Sequence, residues 1–276
     1  RSRPARARAE DALVRFALLA GDRALDFVVI GGLNPDFLAP DAPVPHQGTT
    51  DVDLLFALGV SPSETDQDFA WLDTALDAGG FESVNGWRWD ATVGQSRVRL
   101  ELLCDVWDHT ADTVPLPGST RAVACKIAGP AAALADPVSR ELRVTAAVRA
   151  DFPMAPETIT LRFANLGGYL LAKAAAAISR GLAKDRYDLM YVMLFNDHGG
   201  AAGAAAAVTS QLMLTEEIAS PDDIVECLRR FLDASGTWAG TFAEVMMASG
   251  DDSAEAQLRA DAASGARRCL DMITTQ

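Results

Sequence analysis

The chain changes character at Leu166. Beyond it, apolar residues recur at helical spacing in one segment after another; before it, short apolar or alternating runs are broken by Gly- and Pro-containing turns. Helices are expected near Leu166–Arg180, Asp185–Phe195, Ala201–Leu212, Asp222–Ala234, Trp238–Met247 and Ala254–Ile273. In the earlier part, strands are expected at Asp26–Ile30, Asp51–Phe56, Trp87–Thr92 and Arg97–Val106, with Gly94-Gln95 turning the last two into a hairpin. Further strands fit Arg121–Ile127, Leu142–Val148 and Thr158–Phe163. Helices fit Glu10–Ala20 and Ser63–Gly79, the second capped by Ser63 with Phe69, Leu72 and Leu76 on one face. Such an order predicts an α+β fold, in which a mixed sheet with flanking helices is followed by a helical half. The expected division is a disordered arm over 1–9, an α/β core over 10–165 and a helical domain over 166–276.

Composition narrows the function classes. The 276 residues are 49% hydrophobic and 22% charged, the balance of a folded globular protein. No apolar run approaches the roughly 20 residues a membrane-spanning helix needs, so no membrane partner is expected. Cys104, Cys125, Cys227 and Cys269 are scattered without a CxxC pair, which disfavours a disulfide scaffold or structural zinc and suits a reducing cytoplasm. The arginine-rich start, RSRPARARAE, lacks the apolar stretch of a secretory signal. A net charge of −14 argues against non-specific coating of DNA or RNA. That charge is uneven: residues 121–186 carry +5, flanked by −10 before and −9 after. All three lysines, Lys126, Lys173 and Lys184, lie in the basic stretch.

The most informative chemistry lies between two strands. After Asp26-Phe-Val-Val-Ile30 comes Gly31-Gly32, and after a proline-rich loop comes Thr50-Asp-Val-Asp53. Side chains two apart on a strand point the same way, roughly 6.5–7 Å from each other, so Asp51 and Asp53 project side by side. Two such carboxylates repel unless a cation bridges them, and Mg²⁺ takes one or two carboxylates together with substrate phosphate oxygens. Gly31 and Gly32, at a turn from strand to helix, let backbone N–H groups approach a phosphate. Glu101 alternates with Leu100 and Leu102 on the polar face of its strand, alongside Arg97 and Arg99, and supplies a third acid if the strands are neighbours. Asp105 shares its parity and is held in reserve.

These residues carry a resemblance. The segment VVIGGLNPDFL…GTTDVDLLF, followed by RLELL, resembles the nucleotidyltransferase superfamily that includes polymerase β, which pairs a Gly-Gly or Gly-Ser turn with a DxD and a later single acid. More narrowly, LGGYLLAKAAAAISRGLAKDRYDLMYVML is similar to the second signature of the AbiEii/MenT-type nucleotidyltransferases, the toxin components of type IV toxin–antitoxin systems. The likeness spans about Val28–Leu194 and matches Lys173, Arg180 and Lys184-Asp185-Arg-Tyr-Asp188-Leu189. Here Glu is the third acid, and Gly-Gly stands where many toxin members have Gly-Ser.

The resemblance implies a Mg²⁺-dependent enzyme, with Mn²⁺ as substitute, that moves a nucleoside monophosphate from an NTP to a hydroxyl acceptor. Asp51, Asp53 and Glu101 would be the metal ligands and catalytic acids, and Gly31, Gly32, Lys173 and Arg180 would hold phosphates. It further implies a tRNA 3′ end as acceptor, a cognate antitoxin as partner, and a helical domain that completes the active site. Taken without the resemblance, Lys173 either snorkels to solvent from an apolar helix or reaches into a site. Arg180 is either a phosphate contact or a cation at a helix C-terminus. Asp185 reads as an N-cap; the resemblance implies that Asp185 or Asp188 supports catalysis, against a salt bridge that orients Lys173. His46, His109 and His198 are isolated in sequence, and none is assigned to metal or general-base work. Two other readings stand beside this one: a nucleotidyltransferase with a small hydroxylated acceptor, as in antibiotic-modifying enzymes, and a catalytically silent nucleotide-binding or partner module.

Overall fold

The computed structural model describes residues 3–58, 67–106, 109–215 and 218–274. Its elements run α1 (Arg3–Ala20), β1 (Phe27–Ile30), α2 (Pro35–Leu38), β2 (Asp51–Phe56), α3 (Ala70–Ala78), β3 (Glu82–Ser83), β4 (Arg88–Val93), β5 (Ser96–Cys104), β6 (Thr113–Pro115), β7 (Val123–Lys126), β8 (Val138–Arg143), α4 (Ala146–Asp151) and β9 (Thr158–Phe163). Helices alone follow: α5 (Leu166–Ser179), α6 (Ala183–Phe195), α7 (Ala201–Leu214), α8 (Asp222–Phe231), α9 (Thr237–Ala248) and α10 (Glu255–Thr274). This is a mixed α and β architecture with helices flanking one sheet, consistent with α+β. No helix among the described residues is long and apolar enough to cross a membrane.

The chain divides into two compact units. The first comprises 1–33, 48–128 and 137–163; the second comprises 34–47, 129–136 and 164–276. The helical unit therefore begins within two residues of the position where the sequence pattern changes. It also takes in two segments from the sheet-forming part, which periodicity has no means of assigning.

In the first unit the strands run β3-β4-β5-β2-β1-β9-β8, with β7 pairing parallel to the far end of β5 and antiparallel to β6. β1 and β2 are antiparallel, while β2 and β5 are parallel with Asp51 opposite Arg99 and Asp53 opposite Glu101. β4 and β5 form the expected hairpin about Gly94-Gln95. One face of β2 and β5 is apolar: Val52, Leu54, Val98, Leu100 and Leu102 are buried to within 1% exposure. The other face carries the alternating charged residues, so the pleat sorts core from site.

Three segments differ from what the sequence pattern predicts. Residues 3–9, read as part of a disordered arm over 1–9, belong to α1, where Arg6 pairs with Glu10 one turn on and Ala9, Ala12 and Leu13 are buried. Burial of that alanine-rich stripe outweighs its charge density. The strand expected over 142–148 is instead β8, ending at Arg143, and then α4, whose start is capped by Thr145 Oγ1 accepting from Val148 N at 3.3 Å. The helix expected from Ser63 begins at Ala70; its proposed cap falls outside the described residues.

Within the second unit, α5 is apolar on almost every side and is surrounded by other helices, as an all-round apolar helix must be. Asn165 caps it by accepting from Gly168 N at 2.7 Å. A Cβ at Gly167 would lie 2.3 Å from the Ala207 carbonyl oxygen, so the first Gly of LGGYLLAK serves close helix packing against α7.

Candidate active site

The acid face is built by register. Side chains of directly paired residues share a face, so two rows cross the sheet: Asp51 (β2), Arg99 (β5), Asp90 (β4), and Asp53 (β2), Glu101 (β5), Arg88 (β4). Asp51, Asp53 and Glu101, three separate expectations from sequence, are thus brought onto one face of adjacent strands. Asp105 follows the last residue of β5 and lies outside the β2–β5 register.

Each acid is held by a different environment. Asp51 sits at the mouth of a turn in which its own N–H donates to Thr49 Oγ1 at 3.0 Å, Thr49 Oγ1 donates to its carbonyl at 3.1 Å, and Thr50 Oγ1 lies 3.3 Å from its carboxylate. Asp53 lies over Gly31: a Cβ on that glycine would fall 1.8 Å from Asp53 Oδ2, and Gly31 has φ +73°. Glu101 accepts from Arg88 Nε at 2.9 Å, with its side chain 16% exposed. Its pKa is pushed up to about 7, chiefly by burial and next by the Asp53 carboxylate, against the opposing pull of Arg88.

Gly31-Gly32 has a steric part in the arrangement. The two residues open a three-residue 3₁₀ turn, and the helix that follows in sequence has only four residues, so little helix dipole is available there. The missing side chains instead make room for Asp53 and for Thr49, whose Cβ would lie 2.7 Å from a Cβ on Gly32. Gly31 thus leaves the space that Asp53 fills, and Gly32 the space that Thr49 fills.

The residues fit a hard divalent cation in one respect and leave its coordination open in another. Burial first, and then repulsion from Asp53 and Asp51, raises the proton affinity of Glu101; a cation between these groups would offset the repulsion. Among the described residues, no three His, Cys, Asp or Glu side chains form a group able to hold a metal by themselves. Mg²⁺ does not need such a cage, since it retains waters and uses substrate phosphates for much of its shell.

The second signature forms its own cluster in the helical unit. Lys173 Nζ donates to Asp188 Oδ2 at 2.7 Å and to Asp185 Oδ1 at 3.3 Å, and its side chain is 8% exposed. Of the alternatives open from sequence, the salt-bridge role is the one these contacts display. Arg180 follows the last residue of α5 and donates to Asp185 Oδ1 at 2.9 Å. Asp185 is not an N-cap; Leu182 holds that position and Asp185 sits in the first turn of α6, where a negative charge is favoured. Burial opposes ionisation of Asp188, yet Lys173, His46 and Lys184 outweigh it and hold that carboxyl well below the usual range.

Two contributors escaped the sequence reading. His46 Nε2 donates to Asp188 Oδ1 at 2.8 Å, since an ionised carboxylate can only accept, and the ring stacks on Tyr187 at 5.4 Å between centroids. Nothing in the spacing links residue 46 to residue 188. Arg88, by contrast, was within reach. A two-residue turn at Gly94-Gln95 pairs Val93 with Ser96 and, five positions further out, Arg88 with Glu101.

No protein-family model, curated protein or solved structure matches this chain.

Proposed function

We propose that the acid face of β2 and β5 is the active site of a nucleotidyltransferase, which moves a nucleoside monophosphate from an NTP onto a hydroxyl and releases pyrophosphate. The observation that carries this is the in-register placement of Asp53 beside Glu101, with Asp51 on the same face and Gly31 vacating the space that Asp53 fills. Asp51, Asp53 and Glu101 would hold Mg²⁺, which supplies charge neutralisation at the attacking and leaving oxygens of an in-line displacement. The chain's own contribution is positional: two paired strands fix the acids, and Thr49 and Thr50 fix the backbone and carboxylate of Asp51. Glu101 lies in register beside Asp53, where its carboxylate would hold the metal and could receive the proton of an acceptor hydroxyl brought to that metal.

The resemblance to AbiEii/MenT-type enzymes supplies the acceptor, a tRNA 3′ end, and the biological role, a toxin with a cognate antitoxin in the cytoplasm. One observation favours the small-acceptor alternative. Of the basic residues in 121–186, Lys173, Arg180 and Arg121 are each paired with an aspartate. Cations so engaged are less available to a polyanion.

The test is incubation with Mg²⁺, labelled NTPs and total RNA, with candidate small hydroxylated acceptors as competitors. Label on RNA that disappears in Asp51→Ala/Asp53→Ala supports the full proposal. Label on a small molecule alone keeps the chemistry and replaces the acceptor. Label transfer that survives the double substitution overturns the site.

A further inference from the structure

We infer that Arg88 is a phosphate-binding residue of this site, and that it reaches its anion by giving up Glu101; the inference rests on the reading of the acid face as a nucleotidyl-transfer site. Among the arginines on this face, Arg88 occupies a distinct position. Arg99 Nε and Arg97 Nη2 both go to Asp90, at 3.0 and 2.5 Å, and Asp90 is no part of the acid trio. Arg88 Nε goes to Glu101 at 2.9 Å, so its partner is one of the three carboxylates on which the proposed chemistry depends.

The geometry sets a conflict with a physical resolution. A cation held by Glu101, Asp53 and Asp51 and the guanidinium of Arg88 would compete for the same carboxylate, and their like charges repel at close range. An anion arriving with the cation removes the conflict. The guanidinium carries five N–H donors in a planar fork suited to phosphate oxygens, and Nε alone accounts for its bond to Glu101. Its side chain is 32% exposed, and its plane is supported by the Trp87 ring at 4.3 Å from the centroid. The group is therefore held in place on one side and open to solvent on another. The ligand that fits is the polyphosphate part of a nucleotide bound with a divalent cation.

Two opposite effects follow from this exchange. Without nucleotide, Arg88 competes with the metal, so Arg88→Met binds metal more tightly. With metal present, Arg88 holds phosphate, so the same variant binds nucleotide more weakly. Each change is expected to be on the order of tenfold, the scale of one close charge contact in a partly solvated site. An arginine that merely pairs two strands would not move the two affinities in opposite directions.

The experiment titrates Mn²⁺, and then a non-hydrolysable NTP analogue in saturating Mn²⁺, into the intact chain and its variants by calorimetry. Arg88→Met should tighten Mn²⁺ and weaken the analogue, and the gain in Mn²⁺ affinity should vanish in Arg88→Met/Glu101→Gln. Arg88→Lys keeps the charge while losing the fork; it should leave Mn²⁺ affinity near wild type and still weaken the analogue, which gives a readout if the methionine variant fails to fold. Unchanged Mn²⁺ affinity in Arg88→Met, or unchanged analogue affinity in Arg88→Lys, overturns the role of Arg88 while the acid site stands, provided Asp51→Asn/Asp53→Asn abolishes Mn²⁺ binding. Absence of Mn²⁺ binding in every protein, wild type included, overturns the acid site itself.

Discussion

Asp53 and Glu101 stand opposite each other on the parallel strands β2 and β5, and the carboxylate of the first helps to raise the pKa of the second to about 7. Parallel pairing places two acids from segments nearly fifty residues apart on one face, and burial keeps their repulsion from being screened away. Left without a cation, this arrangement costs stability. That cost is measurable.

A pH dependence follows. The pKa of Glu101 is raised from 4.5 to about 7 in the folded protein, so the folded state binds more protons between those values than the unfolded chain. The stability associated with this group is greatest below pH 4.5 and declines as pH rises through 7. Glu101→Gln should remove that decline and stabilise the metal-free protein at pH 8 by about 1–3 kcal/mol. Denaturant unfolding of both proteins at pH 5 and pH 8 checks it; a difference that is the same at both values contradicts the assigned cause.

The Lys173 cluster predicts the opposite slope. Asp188 has its pKa held below the unfolded value, so its contribution is complete above about pH 4 and is lost as pH falls further. Asp188→Asn leaves the Lys173 ammonium buried with one carboxylate fewer and should cost about 3–5 kcal/mol at pH 7. Lys173→Met/Asp188→Asn should cost less than the sum of the single changes, because it removes both charges from the buried pair. Urea unfolding of the four proteins gives the coupling.

Glycine substitutions separate close approach from backbone strain. Gly31→Ala places a Cβ 1.8 Å from Asp53 Oδ2 at a φ of +73°, so it should displace that carboxylate, cost about 2–4 kcal/mol and weaken Mn²⁺ binding. Gly94→Ala meets nothing within 4 Å at a φ of +63° and should cost only about 1 kcal/mol. Thermal unfolding with parallel Mn²⁺ titration distinguishes the two. Equal losses in both variants would mean that the space above Gly31 is unimportant.

Much of the acid face was legible in the sequence because period-2 alternation fixes which strand residues share a side, as with Asp51 and Asp53 or Arg99 and Glu101. The hairpin was legible because a two-residue turn fixes register, and that register contains the Arg88–Glu101 pair. The adjacency of β2 and β5 was not, since parallel pairing across an intervening segment leaves no local pattern. The helical character of 166–274 was legible from spacing, whereas membership of 34–47 in the same unit was not. His46 illustrates the reason: its bond to Asp188 joins positions 142 residues apart, and neither neighbourhood hints at the other. The helix over 3–9 was missed because charge density masked a thin alanine stripe that only the folded neighbours bury.

The phosphorus that is attacked separates nucleotidyl transfer from phosphoryl transfer and from hydrolysis. Parallel incubations with α-labelled and γ-labelled NTP in Mg²⁺, with product and released phosphate species separated, read this directly. Transfer of the α-label to an acceptor, with the γ-label recovered in pyrophosphate and both lost in Asp51→Asn/Asp53→Asn, is the expected result. Transfer of the γ-label to the acceptor, or hydrolysis to orthophosphate unaffected by the double substitution, would contradict it.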